Sequence, residues 1–405
     1  MPSLVAIVFG VFTIFAQAED PGAEPLVVRL QRVATESSDT SKSVHFYVGR
    51  LEVGKPAQSF QVLFDTASGH VLLPHSSCGT NACHQHKQFS PSHSETAVDV
   101  NTDGLPVQKG HKLVLGRVQR DAVSLEFTQA DLGVGVAKAV LVQDKVCLGT
   151  EFGGQICTNL DVMAAVEMQQ PLFEQMPYDG IVGLGLPGLT TETGCDFFAR
   201  LTEARPGLVP QLGLAFGAQS GELFLGGHEP KRMKSPLQWF PVLHPQDGFW
   251  EVAIQSVRLG NLTVHACAAP HGCRGIIDTG ASRLGVQREN FAALHAAMSE
   301  KTSPLVGGGC RGADLEFDLG PMSLKLRVED YAGQNCEVQL GPLDLDGEFQ
   351  NVYAFGENLL RQYYTALDWR QRRIGFAPAA PRRVRLGSGS GGSGSGDADA
   401  RIFAL

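Results

Sequence analysis

Apolar residues along the chain come in short runs that alternate with polar positions, and Gly, Pro, Asn and Asp separate one run from the next. Period-two alternation predicts strands over residues 44–53 and 59–65, joined by the turn Gly54-Lys55-Pro56-Ala57. Val71-Leu72-Leu73-Pro74 predicts another. Residues 113–127 are expected to form a hairpin bent at Gly116, and residues 221–227 a strand ending in Gly-Gly. Further strands are expected over 249–259, 274–278 and 314–328, with a hairpin over 362–376 around Trp369 to Arg373. The helical period is confined to two stretches. Residues 195–204 place Phe197, Phe198 and Leu201 on one face, and residues 289–301 do the same with Phe291, Leu294 and Met298. The prediction is a β-dominated chain with a few short helices.

Two of these strands end alike. The run Phe60 to Phe64 enters Asp65-Thr66-Ala67-Ser68-Gly69, and Ile276-Ile277 enters Asp278-Thr279-Gly280-Ala281-Ser282. Either string alone fits an ordinary turn, where Asp caps and Gly relaxes the backbone. Each aspartate, however, also has a downstream partner stretch with two apolar residues and a Gly. These are Asp179-Gly180-Ile181-Val182-Gly183-Leu184-Gly185 and Tyr353-Ala354-Phe355-Gly356-Glu357-Asn358-Leu359-Leu360. A duplicated arrangement of this kind asks whether the two carboxylates meet. If they do, they can share a proton and activate a water.

The ends of the chain read differently from its middle. Residues 1–18 carry an apolar run followed by Ala16-Gln17-Ala18 and read as a cleaved signal peptide, too short for a membrane span. Residues 19–42 are a short pro-segment or an extra edge strand. Residues 387–396 are Gly and Ser alone, the start of a flexible tail over 387–405. Between them, 405 residues with 43% hydrophobic content allow two cores, expected over 43–228 and 229–386. A formal charge of −9 argues against nucleic acid as the main partner, and no later stretch is long enough to span a membrane.

Nine cysteines in an exported chain imply disulfides. Cys78 and Cys83 are close in sequence, as are Cys267 and Cys273, and Cys147 and Cys157; Cys310 and Cys336 flank a strand-rich stretch, and Cys195 is the expected leftover. Cys83-His84-Gln85-His86 could be half of a metal site, but no matching ligand cluster follows, so no metal and no cofactor are expected. Asn261-Leu262-Thr263 is a glycan acceptor triplet on an expected turn.

Taken in order, these motifs resemble the pepsin-like aspartic peptidases over residues 44–378. Asp65-Thr66-Ala67-Ser68 is similar to the first active-site motif, Asp278 to Ser282 to the second, and Arg361-Gln362-Tyr363-Tyr364-Thr365 to pepsin's own C-terminal run. The resemblance implies two pseudo-twofold-related β-lobes around a long cleft, and hydrolysis of peptide bonds by Asp65 and Asp278. Thr66 and Thr279 would brace the two loops, Ser68 would bond the outer oxygen of Asp65, and Gly280 and Ser282 would complete the support. It implies the disulfide pairs 78/83, 267/273 and 310/336. It also implies a peptide or protein substrate, sensitivity to pepstatin-like inhibitors, a monomer, and a secreted or endolysosomal location.

The sequence departs from the family pattern in four places. Ala67 replaces Gly, which would strain the turn if its φ were positive. Ala281 replaces a hydroxyl residue. Leu72 stands where most members have Trp, and with Lys109 and Gly110 it is expected to contact substrate in the flap and cleft. Lys109, next to Gly110, falls where the cleft-covering flap carries Tyr, and a cation there would favour acidic substrate side chains. These departures keep two other functions in view: a catalytically impaired relative that binds peptides or proteins without cutting them, and an enzyme inhibitor of the same fold.

Overall fold

The computed structural model describes residues 24–36, 43–107, 120–129, 132–151, 153–169, 172–190, 194–267, 272–343 and 351–380. The expected signal peptide, Lys109, Gly110 and the Gly/Ser tail lie outside the described residues.

Strands β1 (Leu26–Glu36), β2 (Ser43–Val53), β3 (Gln58–Asp65), β4 (Val71–Pro74), β5 (Val98–Val100), β6 (Val123–Gln129), β7 (Gly133–Gly149), β8 (Gln155–Met168), β9 (Gly180–Gly183), β10 (Gln211–Phe216) and β11 (Ser220–Leu225) follow one another through the first half. They belong to a 14-stranded sheet. The last hairpin of the chain, Tyr363–Asp368 with Arg373–Pro378, joins that sheet beside β10, so the sheet ties the two lobes together. The second lobe adds a five-stranded sheet of Glu251–Ile254, Cys273–Ile277, Val352–Phe355, Leu284–Gln287 and Leu340–Leu343. This is the bilobal pepsin-like fold.

The duplicated motif is a duplicated topology. β3, ending at Asp65, pairs in parallel with β9, and β9 pairs antiparallel with β4 on the far side of the loop. In the second lobe Cys273–Ile277, ending just before Asp278, pairs in parallel with Val352–Phe355, which pairs antiparallel with Leu284–Gln287. Each aspartate therefore leaves a strand at the centre of its sheet, and its loop returns over a third strand. Glycine is required where that third strand passes beneath. A Cβ on Gly183 would sit 2.5 Å from the Gly69 carbonyl carbon, and one on Gly356 would sit 2.1 Å from the Arg283 oxygen.

Burial explains the strand composition. β2 buries neighbouring residues of both faces over Phe46, Tyr47 and Val48, whereas β6 alternates half-buried and exposed positions. Phe46 of β2 meets Tyr178 edge-on at 5.5 Å, and Phe60 of β3 meets Phe89 at 6.4 Å, inside separate clusters, the first confined to the first lobe and the second running into the other lobe. The helices Phe197–Ala204 and Arg288–Lys301 bury the expected Phe197, Phe198 and Leu201, and Leu294 and Met298; Phe291 is only partly buried. Four disulfides close the loops: Cys78–Cys83, Cys147–Cys157, Cys267–Cys273 and Cys310–Cys336. Cys195 is buried beside the first lobe's second cluster.

Some expectations change. β1 is not an edge strand. It runs between β11 and β2, antiparallel to both, because Val28 and Leu30 alternate into the core. Of the hairpin expected over 113–127, residues 113–119 lie outside the described residues. Residues 123–129 are a first strand, and their partner is β7, with Gln129 opposite Gly133. Leu72 does not face the cleft. It is buried in β4, paired with Ile181 and Met163, and belongs to the core.

Candidate active site

The two aspartate loops are bolted together by their threonines. Thr66 Oγ1 donates to the Ile277 carbonyl at 2.7 Å, and Thr279 Oγ1 donates to the Phe64 carbonyl at 2.6 Å. In return, the Thr66 N–H donates to Thr279 Oγ1 at 3.0 Å and the Thr279 N–H to Thr66 Oγ1 at 3.1 Å. Both side chains are buried. Each hydroxyl thus satisfies one carbonyl and one N–H of the opposite lobe, so neither loop can shift without leaving buried polar groups unpaired.

This brace brings the carboxylates to one point. A methyl added to Gly280 would lie 3.1 Å from Asp65 Oδ1 and 3.2 Å from Asp278 Oδ1, so both groups approach that one spot. Both line the same cleft. Asp65 Oδ1 accepts the Ala67 N–H at 2.9 Å, and Asp278 Oδ1 accepts the Gly280 N–H at 2.9 Å and the Ala281 N–H at 3.1 Å. Burial pushes the Asp65 carboxyl up from its usual range, while the Ala67 N–H and the nearby Ser68 hydroxyl pull it back. Ser68 Oγ nonetheless lacks a partner in full hydrogen-bonding geometry, so its effect on Asp65 is one of proximity. Ala67 does not take a positive φ, and the feared strain is absent. Ser282 Oγ accepts the His45 N–H of β2 at 3.0 Å, a second tie between the lobes.

Sequence reasoning missed the strand that faces the pair. β6 contributes Leu125, Phe127 and Gln129 to the cleft, and Tyr178, Ile181 and His70 line it from the first lobe. Gln129 Nε2 donates across the cleft to the Gly280 carbonyl. Burial, followed by the charge of Asp65, pushes the Tyr178 phenol far up, so it keeps its proton. Burial also lowers His70 to about 4, so its imidazole is neutral over most acidic pH. The alternation Val123-Ser124-Leu125-Glu126-Phe127-Thr128-Gln129, followed by glycines at 133 and 135, was the signal that marked this hairpin.

The described residues also group His265, Cys267 and Cys273, whose donor atoms lie within 4.8 Å of one another. Cys267 and Cys273 are joined as a disulfide, so neither offers a thiolate to a metal. Cys83 is likewise spent on Cys78, and the His86 ring sits 2.7 Å from the Phe173 carbonyl. Asn261 is exposed on the turn between Ser256–Leu259 and Leu262–Ala266.

The model of the eukaryotic aspartyl protease family matches residues 46–143 and 126–379. The chain belongs to that family. Among curated relatives it is 29% identical over 357 residues to pepsin A-5 of Mus musculus, covering 82% of this chain and 81% of that protein. It is 26% identical over 354 residues to cathepsin E of Mus musculus, covering 83% and 80%. Pepsin-2B of Gadus morhua is 26% identical over 348 residues, covering 82% and 96%. Among the described residues, no helix of this aspartyl protease family member is long and apolar enough to cross a membrane.

Proposed function

We propose that this chain is an aspartic endopeptidase that cuts extended polypeptides with a water activated between Asp65 and Asp278. The observation that supports it most strongly is the reciprocal threonine brace, which sets two carboxylates at the floor of one cleft. Two carboxyl groups this close do not both ionise easily, so the pair holds one proton between them. The ionised member takes a proton from the water as its oxygen attacks the peptide carbonyl, and the neutral member gives its proton to the carbonyl oxygen. Collapse of the resulting diol breaks the C–N bond, and the proton removed from water goes to the departing amine.

The cleft wall fits apolar side chains on either side of the cut, because Leu125, Phe127, Leu172, Met176 and Ile181 line it. In the proposal β1 stays with the working enzyme. Its central place in the sheet leaves no simple route to its removal. Export through the secretory pathway and action outside the cell or in an acidic compartment complete the reading.

The second reading, a protein that binds peptides without cutting them, draws on Phe127. Its ring, one of several side chains that the covering strand presents to the cleft, carries no hydroxyl. One experiment separates the two: binding to an immobilised pepstatin-like mimic, alongside cleavage of an unfolded protein from pH 3 to 7. Cleavage blocked by the mimic is the expected result. Capture by the mimic without cleavage at any pH supports the binding protein, and neither capture nor cleavage removes both.

A further inference from the structure

Gln129 ends β6 directly opposite Gly133, at the last register pair of the hairpin that lies over the aspartates. Its Nε2 donates to the Gly280 carbonyl at 2.5 Å, crossing from the first lobe to the second. That carbonyl shares a peptide group with the Ala281 N–H, which donates to Asp278 Oδ1. A single planar amide therefore holds the hairpin by its oxygen and a carboxylate of the pair by its hydrogen. The other end of the Gln129 side chain, Oε1, is buried with no partner in hydrogen-bonding geometry among the described residues; the Tyr178 phenol lies beside it.

We infer that Gln129 is a positioning residue, a latch that keeps the β6–β7 hairpin against the second active-site loop in the free protein and that an extended substrate must displace. Gly280 lines the cleft, and its carbonyl is an acceptor that the N–H groups of an extended backbone would seek. While Gln129 occupies it, entering peptide competes with the protein's own amide. The substrate half of this inference rests on the peptidase reading above, but the latch half stands on the free protein alone. The latch costs binding, not chemistry, so its release is read in KM. A neutral hydrogen bond of ordinary net strength corresponds to about a three- to tenfold change.

The test uses the full chain and two variants. Gln129→Leu keeps the bulk and removes the donor. Gln129→Glu is nearly isosteric; its carboxylate repels the carbonyl when ionised and donates to it when protonated. The first readout is backbone hydrogen exchange over residues 123–129 and 133–140, without substrate and corrected for the intrinsic pH effect. Gln129→Leu should raise exchange there about three- to tenfold while β10 and β11 are unmoved. Gln129→Glu should lose protection at neutral pH and regain it on acidification. The second readout is steady-state cleavage, where Gln129→Leu should lower KM by a similar factor, with the change in kcat/KM residing in KM. Unchanged exchange in Gln129→Leu, or equal protection of Gln129→Glu at both pH values, overturns the latch. Altered exchange in a protein that cleaves nothing upholds the latch and removes the peptidase reading instead.

Discussion

The two aspartate loops share a backbone and differ in their side chains. Both leave a central strand, both are crossed by a strand that needs glycine, and both are tied by a threonine to the carbonyl before the other aspartate. Four positions break the symmetry, Gly69 against Ser282 among them. Ala67 carries a methyl where Gly280 has none. Ser68 puts a hydroxyl beside Asp65, whereas Ala281 gives Asp278 only its backbone N–H. Five residues beyond each aspartate stand His70 and Arg283, both buried, one neutral and one a cation. The symmetric parts fix where the carboxylates sit, and the asymmetric parts decide how readily each carries charge. Geometry and proton affinity are thus set by different residues and can be altered separately.

The shared half of the comparison breaks most severely at the brace. Thr66→Val orphans the Ile277 carbonyl and the Thr279 N–H; Thr279→Val orphans their counterparts. At roughly 1–3 kcal/mol for each buried unpaired group, either change should cost about 2–6 kcal/mol in urea unfolding. The two losses should be similar, and the double variant should lose about their sum, because the two hydroxyls satisfy different backbone groups. A large loss from one threonine and none from the other would contradict the symmetry.

The asymmetric half is sharpened next at His70. Its folded pKa of about 4 lies below the unfolded value of 6.5. As pH falls from 6.5 to 4 the unfolded chain gains a proton that the native site refuses, so stability falls over that window, by up to about 3 kcal/mol. His70→Asn should flatten this part of the stability–pH curve, measured by Tm at fixed ionic strength. No change in slope would show that His70 is not what separates the two loops in acid.

The smallest effects belong to the hydroxyl. Ser68→Ala removes a group that favours the ionised Asp65, and Ala281→Thr adds one near Asp278. The acid limb of the kcat/KM profile should move up in the first and down in the second. Each shift should be about one pH unit or less, since a hydrogen bond to charge is worth roughly 1.5–3 kcal/mol and water replaces part of it. Shifts of the same sign in both variants would deny the difference between the loops.

Much of this was legible before any coordinates. Strand-end aspartates and the partner stretches with glycine are local patterns, and they located both loops and the strands beneath them. The covering hairpin was not located, because Gly116 offered a bend within the same apolar alternation and nothing local shows that residues 123–129 pair forward with 133–149. Gln129 could not be singled out for a related reason. Its partner, the Gly280 carbonyl, lies in the other lobe and is a backbone atom, invisible in residue type. Leu72 was misplaced because a family position carried over in sequence does not say which way a strand residue faces.

The central claim is that Asp65 and Asp278 act as one pair. It is tested most directly by turnover of a single peptide by Asp65→Asn and Asp278→Asn, each checked for native structure at the assay pH. Native folding is expected in both. Because Asp65 is raised in the folded state, its ionisation costs stability as pH climbs above the unfolded value of 3.8, and Asp65→Asn should be the more stable protein at neutral pH. Each substitution should cut kcat/KM by about a thousandfold or more, the scale of losing a group that acts as a unit with its partner. Turnover within about tenfold of the parent in either folded variant would contradict the account.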